Sequence, residues 1–376
     1  MVEVTNYIDR LVAELCPDGV EYRPLESLGK RNKGTAITAS KMRSLEPGNK
    51  DLRIFAAGST FVDTDSSNIP AKDILHGPAI IVKSRGYIGF EYYEKSFTHK
   101  NEMWSYTLDS SIVDQKFIYY YLLTQAYYLQ ELARSKSVKL PQLSVKDTDS
   151  LEVPVPPMEI QEAIVEILDK FTNLEAELEA ELEARTLQYE YYRDSLFEAL
   201  DCPRVPLDSF AKIKNGKTYK DFGAGNIPVY GSGGIMTYVD RFAYDKPTVL
   251  IPRKGSLGNL FYLEEPFWNV DTIFYTEIDE EQVIPKFLYY FLRTAHLEDL
   301  NTAGGVPSLT QKVLNKVLIP VPSLEEQQRI VDILDRFDAL TSSLSEGLPA
   351  ELAARRSQYE YYRDQLLTFP RKGENQ

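Results

Sequence analysis

The sequence reads VPVPPMEIQEAIVEILDKF at residues 153–171 and IPVPSLEEQQRIVDILDRF at residues 319–337. The two copies align without a gap at an offset of 166. Both continue through a Glu- and Ala-rich segment into the same word, QYEYYRD, at residues 188–194 and 358–364. A repeat of this length and period predicts two similar halves rather than one domain.

Each copy opens with prolines, which stop the preceding structure, and then places apolar residues at steps of three and four. This spacing predicts an amphipathic helix with Glu and Gln on its outer face. The first helix, from Met158 to about Ala199, would be about 60 Å long. We expect the two helices to pack on each other as a coiled coil. The residues predicted to pack the helix pair are Ile164, Leu168, Phe171, Leu174, Leu178, Leu182, Ile330, Leu334, Phe337, Leu340 and Leu344. A simple oligomerisation arm is the alternative, but it does not explain the globular segment before each copy.

The formal net charge is −14, which by itself disfavours a polyanionic partner. The charge is unevenly distributed, however. Residues 151–201 contain 14 acidic and 3 basic residues, whereas residues 30–150 contain 17 basic and 13 acidic ones and residues 202–318 contain 13 of each. Because local fields decide where phosphate binds, nucleic acid is allowed at the globular segments and disfavoured along the first helix.

The sequence has no signal-like N-terminus and no apolar run of the ~20 residues that a membrane span requires. Its two cysteines, Cys16 and Cys202, each precede a proline at equivalent places in the two halves. Equivalent positions are expected to lie far apart, so a disulfide is not expected. These features predict a cytoplasmic protein without a membrane partner.

The two globular segments share a plan. The first predicts strands at residues 52–56, 79–82, 87–92 and 103–108, then a helix from Gln115 to Leu132 that contains FIYYYLLT. The second predicts strands at residues 248–251, 260–263 and 272–278, then a helix from Ile284 that contains FLYYFLRT. The tyrosine-rich words, including the QYEYYRD pair, are interpreted as core or protein interface. The N-terminal helix, Asn6 to Leu15, resembles the segment after the first QYEYYRD, so we expect the two chain ends to be neighbours.

Two loops also recur. KSRGYIG at residues 83–89 matches RKGSLG at residues 253–258, and KLPQLSVK at residues 139–146 matches GVPSLTQK at residues 305–312. Glycine-containing basic loops can bind phosphate through cations and backbone N–H groups. The alternative is a solvated basic turn. The candidate DNA-binding residues are Lys30, Arg31, Lys33, Lys83, Arg85, Tyr87, Lys139, Lys212, Lys214, Lys217, Arg253, Lys254, Ser256 and Asn259. Residues that read base edges are expected in the unmatched parts of the two segments.

The repeated helix starts, the Y-E-Y-Y-R-D words, the C-P-D-G-V-E entry and the IPRKGSLGN loop together resemble the DNA specificity (S) subunit of type I restriction-modification systems over nearly the whole chain. The resemblance implies a subunit without catalytic residues. In that family it assembles with two modification subunits, which methylate adenine at N6 with S-adenosylmethionine, and with restriction subunits, which use ATP and Mg²⁺ to translocate and cut DNA. No cofactor or metal is then expected on this chain.

The sequence itself lacks the short motifs of nucleotide hydrolysis and of adenine methylation. The sequence contains no G-x-x-x-x-G-K-S/T loop and no N-P-P-Y/F or D-P-P-Y methyltransferase word. The three histidines, His76, His99 and His296, lack metal-ligand spacing and are interpreted as fold residues. The glycine-rich segment 231–234 is interpreted as a turn.

The two helices differ in their middle parts. Residues 174–185 read LEAELEAELEAR, a four-residue unit written three times. The second helix is longer here and contains Gly347-Leu348-Pro349, which predicts a kink or an interruption.

The sequence therefore predicts an α+β protein in which two similar α/β recognition domains are separated by a long antiparallel coiled-coil helix pair, in a circularly arranged, pseudo-two-fold repeat. Its predicted function is to read the two halves of a bipartite asymmetric DNA site and to recruit the methyltransferase and restriction subunits. A coiled-coil protein-interaction adaptor and the detached specificity half of a fused restriction-methyltransferase are the alternatives. The expected segments are an N-terminal helix (1–19), recognition domain 1 (20–150), the first helical region (151–201), recognition domain 2 (202–318), the second helical region (319–370) and a tail (371–376).

Overall fold

The computed structural model describes residues 2–45, 50–137, 139–301, 305–342 and 347–373. Its helices are α1 (Val2–Leu15), α2 (Ala39–Arg43), α3 (Gln115–Lys136), α4 (Val145–Asp149), α5 (Met158–Glu198), α6 (Pro285–Leu292), α7 (Gln311–Leu314), α8 (Leu324–Ser342) and α9 (Gly347–Leu366).

The strands of the first half are β1 (Tyr22–Pro24), β2 (Gly29–Lys33), β3 (Leu52–Phe55), β4 (Phe61–Thr64), β5 (Leu75–His76), β6 (Ala79–Lys83), β7 (Gly89–Tyr93), β8 (Ser96–His99), β9 (Trp104–Leu108) and β10 (Glu152–Pro154). Those of the second half are β11 (Arg204–Pro206), β12 (Ala211–Asn215), β13 (Ile227–Gly231), β14 (Gly234–Val239), β15 (Thr248–Pro252), β16 (Phe261–Leu263), β17 (Trp268–Asn269), β18 (Ile273–Ile278) and β19 (Leu318–Pro320).

The chain forms two compact units, residues 1–176 with 353–376 and residues 177–352. Each unit contains a four-stranded large sheet, in the order β2-β9-β6-β7 in the first unit and β12-β18-β15-β16 in the second. The central strands are apolar runs buried on both faces, as expected where helices cover one side and a second sheet the other. The mixed helix and sheet content and the repeat confirm the predicted α+β class.

Each unit also has a smaller sheet, and here the two halves differ. Its strand order is β4-β3-β8-β5 in the first unit and β14-β13-β17 in the second. Both smaller sheets use a parallel pair, β3 with β8 and β13 with β17. The sequence did not predict most of these strands, because they are short and have no clear apolar alternation.

The entry and exit of each recognition domain are held together by a two-stranded ribbon. Strand β1 pairs with β10, and β11 pairs with β19. The prolines of the repeated stretch therefore lie at the edge of a two-stranded pairing, where a missing N–H is tolerated.

Helix α5 runs without a break across the repeated LEAE segment. The second helical region is divided, because α8 ends at Ser342 and α9 begins at Gly347, which confirms the predicted interruption. Gly347 has φ of 77°, and a Cβ there would lie 2.5 Å from the carbonyl oxygen of Ala339. Only glycine fits this close left-handed turn onto α8.

The N-terminal helix and the C-terminal segment meet in the first unit. Ile8 on α1 is buried in the same core as Leu366, Leu367 and Phe369, and Val20 forms a parallel bridge with Arg371. The expectation that the two ends of the chain are neighbours is confirmed for the described residues.

Candidate nucleic-acid interface

Sheet register brings the separate basic stretches of each domain to one end of its large sheet. In the first unit Lys33 pairs with Trp104, and Trp104 pairs on its other side with Val82. Strands β2 and β6 thus end at the same level, with Lys33 and Lys83 at that edge. In the second unit Asn215 and Ile251 flank Phe274 in the same way. We call this edge the loop end of the large sheet.

The two recurring loops of each domain, which are far apart in sequence, pair with each other at the loop end. The Gly86 N–H donates to the Pro141 carbonyl at 2.9 Å, and the Leu143 N–H donates to Ser84 at 3.0 Å. In the second unit the Gly255 N–H donates to Pro307 at 3.0 Å, and the Leu309 N–H donates to the Arg253 carbonyl at 2.8 Å. We call these the paired loops.

In each domain the first of the two paired loops turns at a glycine with positive φ, which is 77° at Gly86 and 84° at Gly255. Two residues later an apolar side chain is buried, Ile88 in the first unit and Leu257 in the second. The residue between them points outward, and Tyr87 is 75% exposed. The glycine and the apolar anchor therefore hold a short exposed segment beside a cation.

Different residues fix the paired loops in the two units. In the first unit the Gln130 carboxamide accepts from the Ile88 N–H at 2.8 Å and donates to the Gly86 carbonyl at 3.2 Å. In the second unit the Asn259 amide donates to the Ser232 carbonyl at 3.1 Å. The sequence analysis named Asn259 but missed Gln130, which lies in the part of α3 beyond the matched helix words.

The candidate residues differ in ion pairing and in exposure, and Lys254 is both paired and exposed. Four pair with carboxylates: Arg31 with Asp149 at 3.2 Å, Lys83 with Glu91 at 2.7 Å, Lys214 with Glu277 at 3.1 Å and Lys254 with Asp271 at 4.0 Å. The candidate side chains classed as exposed are Lys30, Lys33, Arg85, Tyr87, Lys139, Lys212, Lys217, Lys254, Ser256 and Asn259.

Within the first paired loop, Arg85 is more accessible to a phosphate than Lys83. The Lys83 side chain is 18% exposed and its ammonium pairs with Glu91 at 2.7 Å, so a phosphate contact would have to displace that carboxylate. Arg85 extends from the loop into solvent. In the second unit Arg253 is half-buried near the ring of Phe274, and its backbone N–H donates to the Thr272 carbonyl at 2.9 Å.

The smaller sheet branches from this same end. A Cβ on Gly34 would lie 2.3 Å from the His99 carbonyl oxygen, and one on Gly216 would lie 2.0 Å from that of Val270. The backbones approach so closely here that only glycine fits. The divergent sheet and the recurring loops consequently share one face of each domain.

The three histidines of the chain differ in burial. His99 is fully buried with its ring nitrogens near the Lys100 carbonyl and the Ser105 hydroxyl, and burial lowers its pKa to about 4. His76 and His296 are exposed, and their ring nitrogens lie 3.1 Å from the Ser96 hydroxyl and 3.8 Å from the Glu298 carboxylate, respectively. Within the described residues no group of three or more potential metal ligands occurs, and none of the described helices has the length and apolar character to cross a membrane.

The glycine-rich segment predicted as a turn is the hairpin turn between β13 and β14, which confirms that interpretation. The turn is fixed from two sides. The Ser232 N–H donates to the Thr272 hydroxyl at 3.3 Å, while the Thr272 carbonyl accepts from the Arg253 and Lys254 N–H groups. Thr272 therefore links the hairpin to the basic loop.

A duplicated ion pair anchors each recognition domain on its helix. The Lys116 ammonium lies 2.8 Å from Asp169 on α5, which also accepts from the Tyr120 hydroxyl at 2.5 Å. In the second unit Lys286 and Tyr290 contact Asp335 on α8 at the same two distances. Burial raises the pKa of both tyrosines, so their hydroxyls remain donors.

The residues predicted to pack the helix pair divide into several environments. Ile164, Leu168, Ile330 and Leu334 are fully buried, but in cores shared with the recognition domains rather than in a seam between two helices. Within the first unit the Phe171 ring stacks on Tyr362 of α9 at 5.8 Å, and within the second the Phe337 ring stacks on Tyr192 of α5 at 5.9 Å.

The predicted helix-pair residues that follow Phe171 and Phe337 along the chain are less buried than the residues before them. Leu178 and Leu182 are half-buried, Leu174 and Leu340 keep 48% and 37% of their surface exposed, and Leu344 lies outside the described residues. The packing predicted for Leu174 and Leu340 is therefore only partial. They lie beyond the aromatic contacts, and the helices there no longer rest on a domain core.

Comparison with known proteins places the whole chain. A family model described as the type I restriction modification DNA specificity domain matches residues 17–184 and again residues 201–354. The specificity subunit of a type I restriction enzyme of Escherichia coli is 32% identical, over 97% of this chain and 98% of that protein. A putative type I restriction enzyme specificity subunit of Haemophilus influenzae is 32% identical, over 68% of this chain and 73% of that protein.

Two solved structures from type I restriction-modification systems have a similar fold. The crystal structure of the S subunit of a type I restriction-modification system from M. genitalium superposes with a TM-score of 0.60 at 21% identity and covers 93% of this chain and 96% of that one. A chain from a structural study of complex assembly in the type I system gives a TM-score of 0.61 at 13% identity. With both halves matching the family model, the chain belongs to the type I restriction-modification DNA specificity family and is a DNA specificity subunit with two recognition domains.

Proposed function

We propose that each recognition domain sets the loop end of its large sheet against a DNA duplex. The observation that supports this most directly is the register that gathers Lys33, the Lys83–Gly89 loop and Lys139 at one edge. The same register and loop pairing recur in the second unit, where Asn215 occupies the position of Lys33. Cations and backbone N–H groups in such loops bind phosphates and fix the register of a protein on DNA.

Each domain would read one half of a bipartite, asymmetric site. The paired loops recur and suit the phosphate backbone, which is the same for every sequence. The smaller sheets differ in strand order and in side chains, and they share the face with the loops. Base readout requires side chains that differ between the two half-site sequences. The smaller sheets, which differ between the domains, would therefore carry the residues that contact base edges.

The chain would act as the reading part of a larger complex. Two modification subunits would supply S-adenosylmethionine-dependent methylation of adenine at N6, and restriction subunits would supply ATP- and Mg²⁺-dependent translocation and cleavage. The name "specificity subunit" of the relatives supports this division of labour. The equivalent ion pairs on Asp169 and Asp335 attach both domains to their helices in the same way. Two identical modification subunits would require such equivalent attachment.

The test is methylation mapping in cells that express this chain with its modification subunits. We expect N6-methyladenine at one split, asymmetric sequence, and salt-sensitive binding of the assembled complex to that sequence. Replacing residues 204–318 by the corresponding domain of a related subunit should change one half of the site and leave the other intact. Methylation at unrelated sequences, or a domain exchange that alters both halves, would contradict the proposal.

A further inference from the structure

The outer strand of the smaller sheet in the second unit carries an exposed apolar cluster. Ile235, Met236 and Tyr238 on β14 are 50%, 57% and 52% exposed, and Phe242 just beyond the strand is 51% exposed. Strand β14 is an edge strand. An exposed apolar edge strand favours aggregation, and proteins usually avoid it, so this cluster requires a function.

A bulge in the hairpin produces the cluster. Tyr230 pairs with Ile235 but Val229 pairs with Thr237, so Met236 is an extra residue on the outer strand. Successive side chains of a regular strand point to opposite faces, and a bulge redirects them. Ile235 and Met236 are consequently both exposed although they are adjacent in sequence.

The cluster is held in a fixed position next to the basic paired loop. The Thr272 hydroxyl accepts from the Ser232 N–H of the hairpin turn, and the Thr272 carbonyl accepts from the Arg253 and Lys254 N–H groups. The Asn259 amide adds a bond to the Ser232 carbonyl at 3.1 Å. If the loop contacts phosphates, the hairpin tip is held beside the adjoining groove.

We propose that Ile235 and Met236 contact thymine methyl groups in the major groove of the half-site that the second domain reads. This inference rests on the proposed function. The major groove is about 12 Å wide and admits a two-stranded ribbon, and the thymine methyl is the apolar feature exposed there. Apolar side chains without a strong hydrogen-bonding group, such as Ile and Met, can distinguish that methyl group but not the polar base edges.

The first unit supports the assignment by contrast. Its hairpin of β3 and β4 occupies the equivalent place, but the Arg53 guanidinium lies 3.9 Å from the centre of the Phe61 ring on the outer strand, which is 47% exposed. Arg53 also makes a two-atom ion pair with Asp63. The exposed chemistry of this hairpin is charged and aromatic rather than aliphatic. The outer strands β4 and β14 therefore suit contacts with different DNA sequences.

The test uses uracil, which lacks the thymine methyl group and pairs identically. The probe is the mapped duplex with uracil replacing each thymine in turn, and the protein is the assembled complex. We expect the unaltered complex to lose about fourfold in affinity for each contacted methyl group, at positions in one half-site only. Ile235→Ala and Met236→Ala should each bind the thymine duplex about fourfold more weakly and should no longer distinguish uracil from thymine at those positions.

Leu318→Ala is the matched control, because Leu318 is 52% exposed in the same unit but lies on β19, and it should retain the full uracil effect. Equal binding of the uracil and thymine duplexes by the unaltered complex would overturn the inference while leaving sequence-selective binding, and hence the proposed function, intact. Variants that bind DNA normally but associate less with the modification subunits would overturn it in favour of a protein interface. A complex without any sequence preference would instead refute the proposed function itself.

Discussion

The side-chain oxygen of Gln327 accepts a 2.8 Å hydrogen bond from the backbone N–H of Ile284, the residue that precedes helix α6. The same side chain donates to the carbonyls of Gln282 and Pro322, both at 2.9 Å. Gln161 contacts Asp114, Ile112 and Pro156 in the same way in the first unit. Both glutamines are fully buried, and they tie the start of a long helix to its recognition domain.

Gln327→Ala should lower the free energy of unfolding by roughly 2–4 kcal/mol, because buried backbone groups that lose a partner each cost about 1–3 kcal/mol. Gln328→Ala is the control: it is the same substitution one residue later, at an exposed side chain that donates to Asp332 at 2.7 Å. It should change stability by less than about 0.5 kcal/mol. Urea denaturation measures both, and equal effects would show that the buried amide has no special role.

Arg85→Ala should weaken DNA binding and reduce the slope of log K against log salt concentration by about 0.9, the value for one released counterion. The preferred sequence should not change, because a phosphate contact carries no base information. Arg253→Ala should behave alike in the second unit. Lys83→Ala should have the smaller effect, since Glu91 already neutralises that ammonium. A slope that is unchanged for Arg85→Ala would remove this residue from the interface.

Insertion of one more Leu-Glu-Ala-Glu unit into residues 174–185 should lengthen α5 by about 6 Å and rotate its far end by about 40°. We expect the gap between the two half-sites to change by about one or two base pairs, at ~3.4 Å each, while both words stay the same. Methylation mapping of the variant gives the answer directly. A changed word with an unaltered gap would be the contrary result.

The buried His99 predicts acid sensitivity of the first unit. Its pKa is about 4 in the folded protein and about 6.5 when unfolded, so the unfolded state binds the extra proton between these values. Stability should therefore be complete above pH 6.5 and fall by at most about 3 kcal/mol as the pH drops to 4. His99→Gln should flatten this part of the stability profile, whereas His76→Gln at an exposed site should leave it unchanged. A profile insensitive to His99→Gln would show that other groups cause the acid transition.

Much of the site could be found from sequence because it is duplicated. The repeat at an offset of 166 identified Gln161 and Gln327 as equivalent, and the matched loops identified Arg85, Lys254 and their glycines. Gln130 and Thr272 gave no such signal, since neither lies in a matched word. The consecutive Ile235 and Met236 resembled ordinary strand residues, because a bulge is visible only when the partner strand is known.

The sequence by itself determined the two-half plan, the long helix α5, the interruption of the second helical region at Gly347, and the family. These features depend on hydrophobic periodicity, on the positions of proline and glycine, and on repeated sequence motifs. Only the tertiary structure decided which basic residues share a face and which are neutralised. Lys33 and Lys83 lie at the same edge because β2 and β6 end at the same level on either side of β9. Lys83 is paired because β7 brings Glu91 alongside it. Such contacts depend on strand register, which long-range pairing sets and local sequence does not.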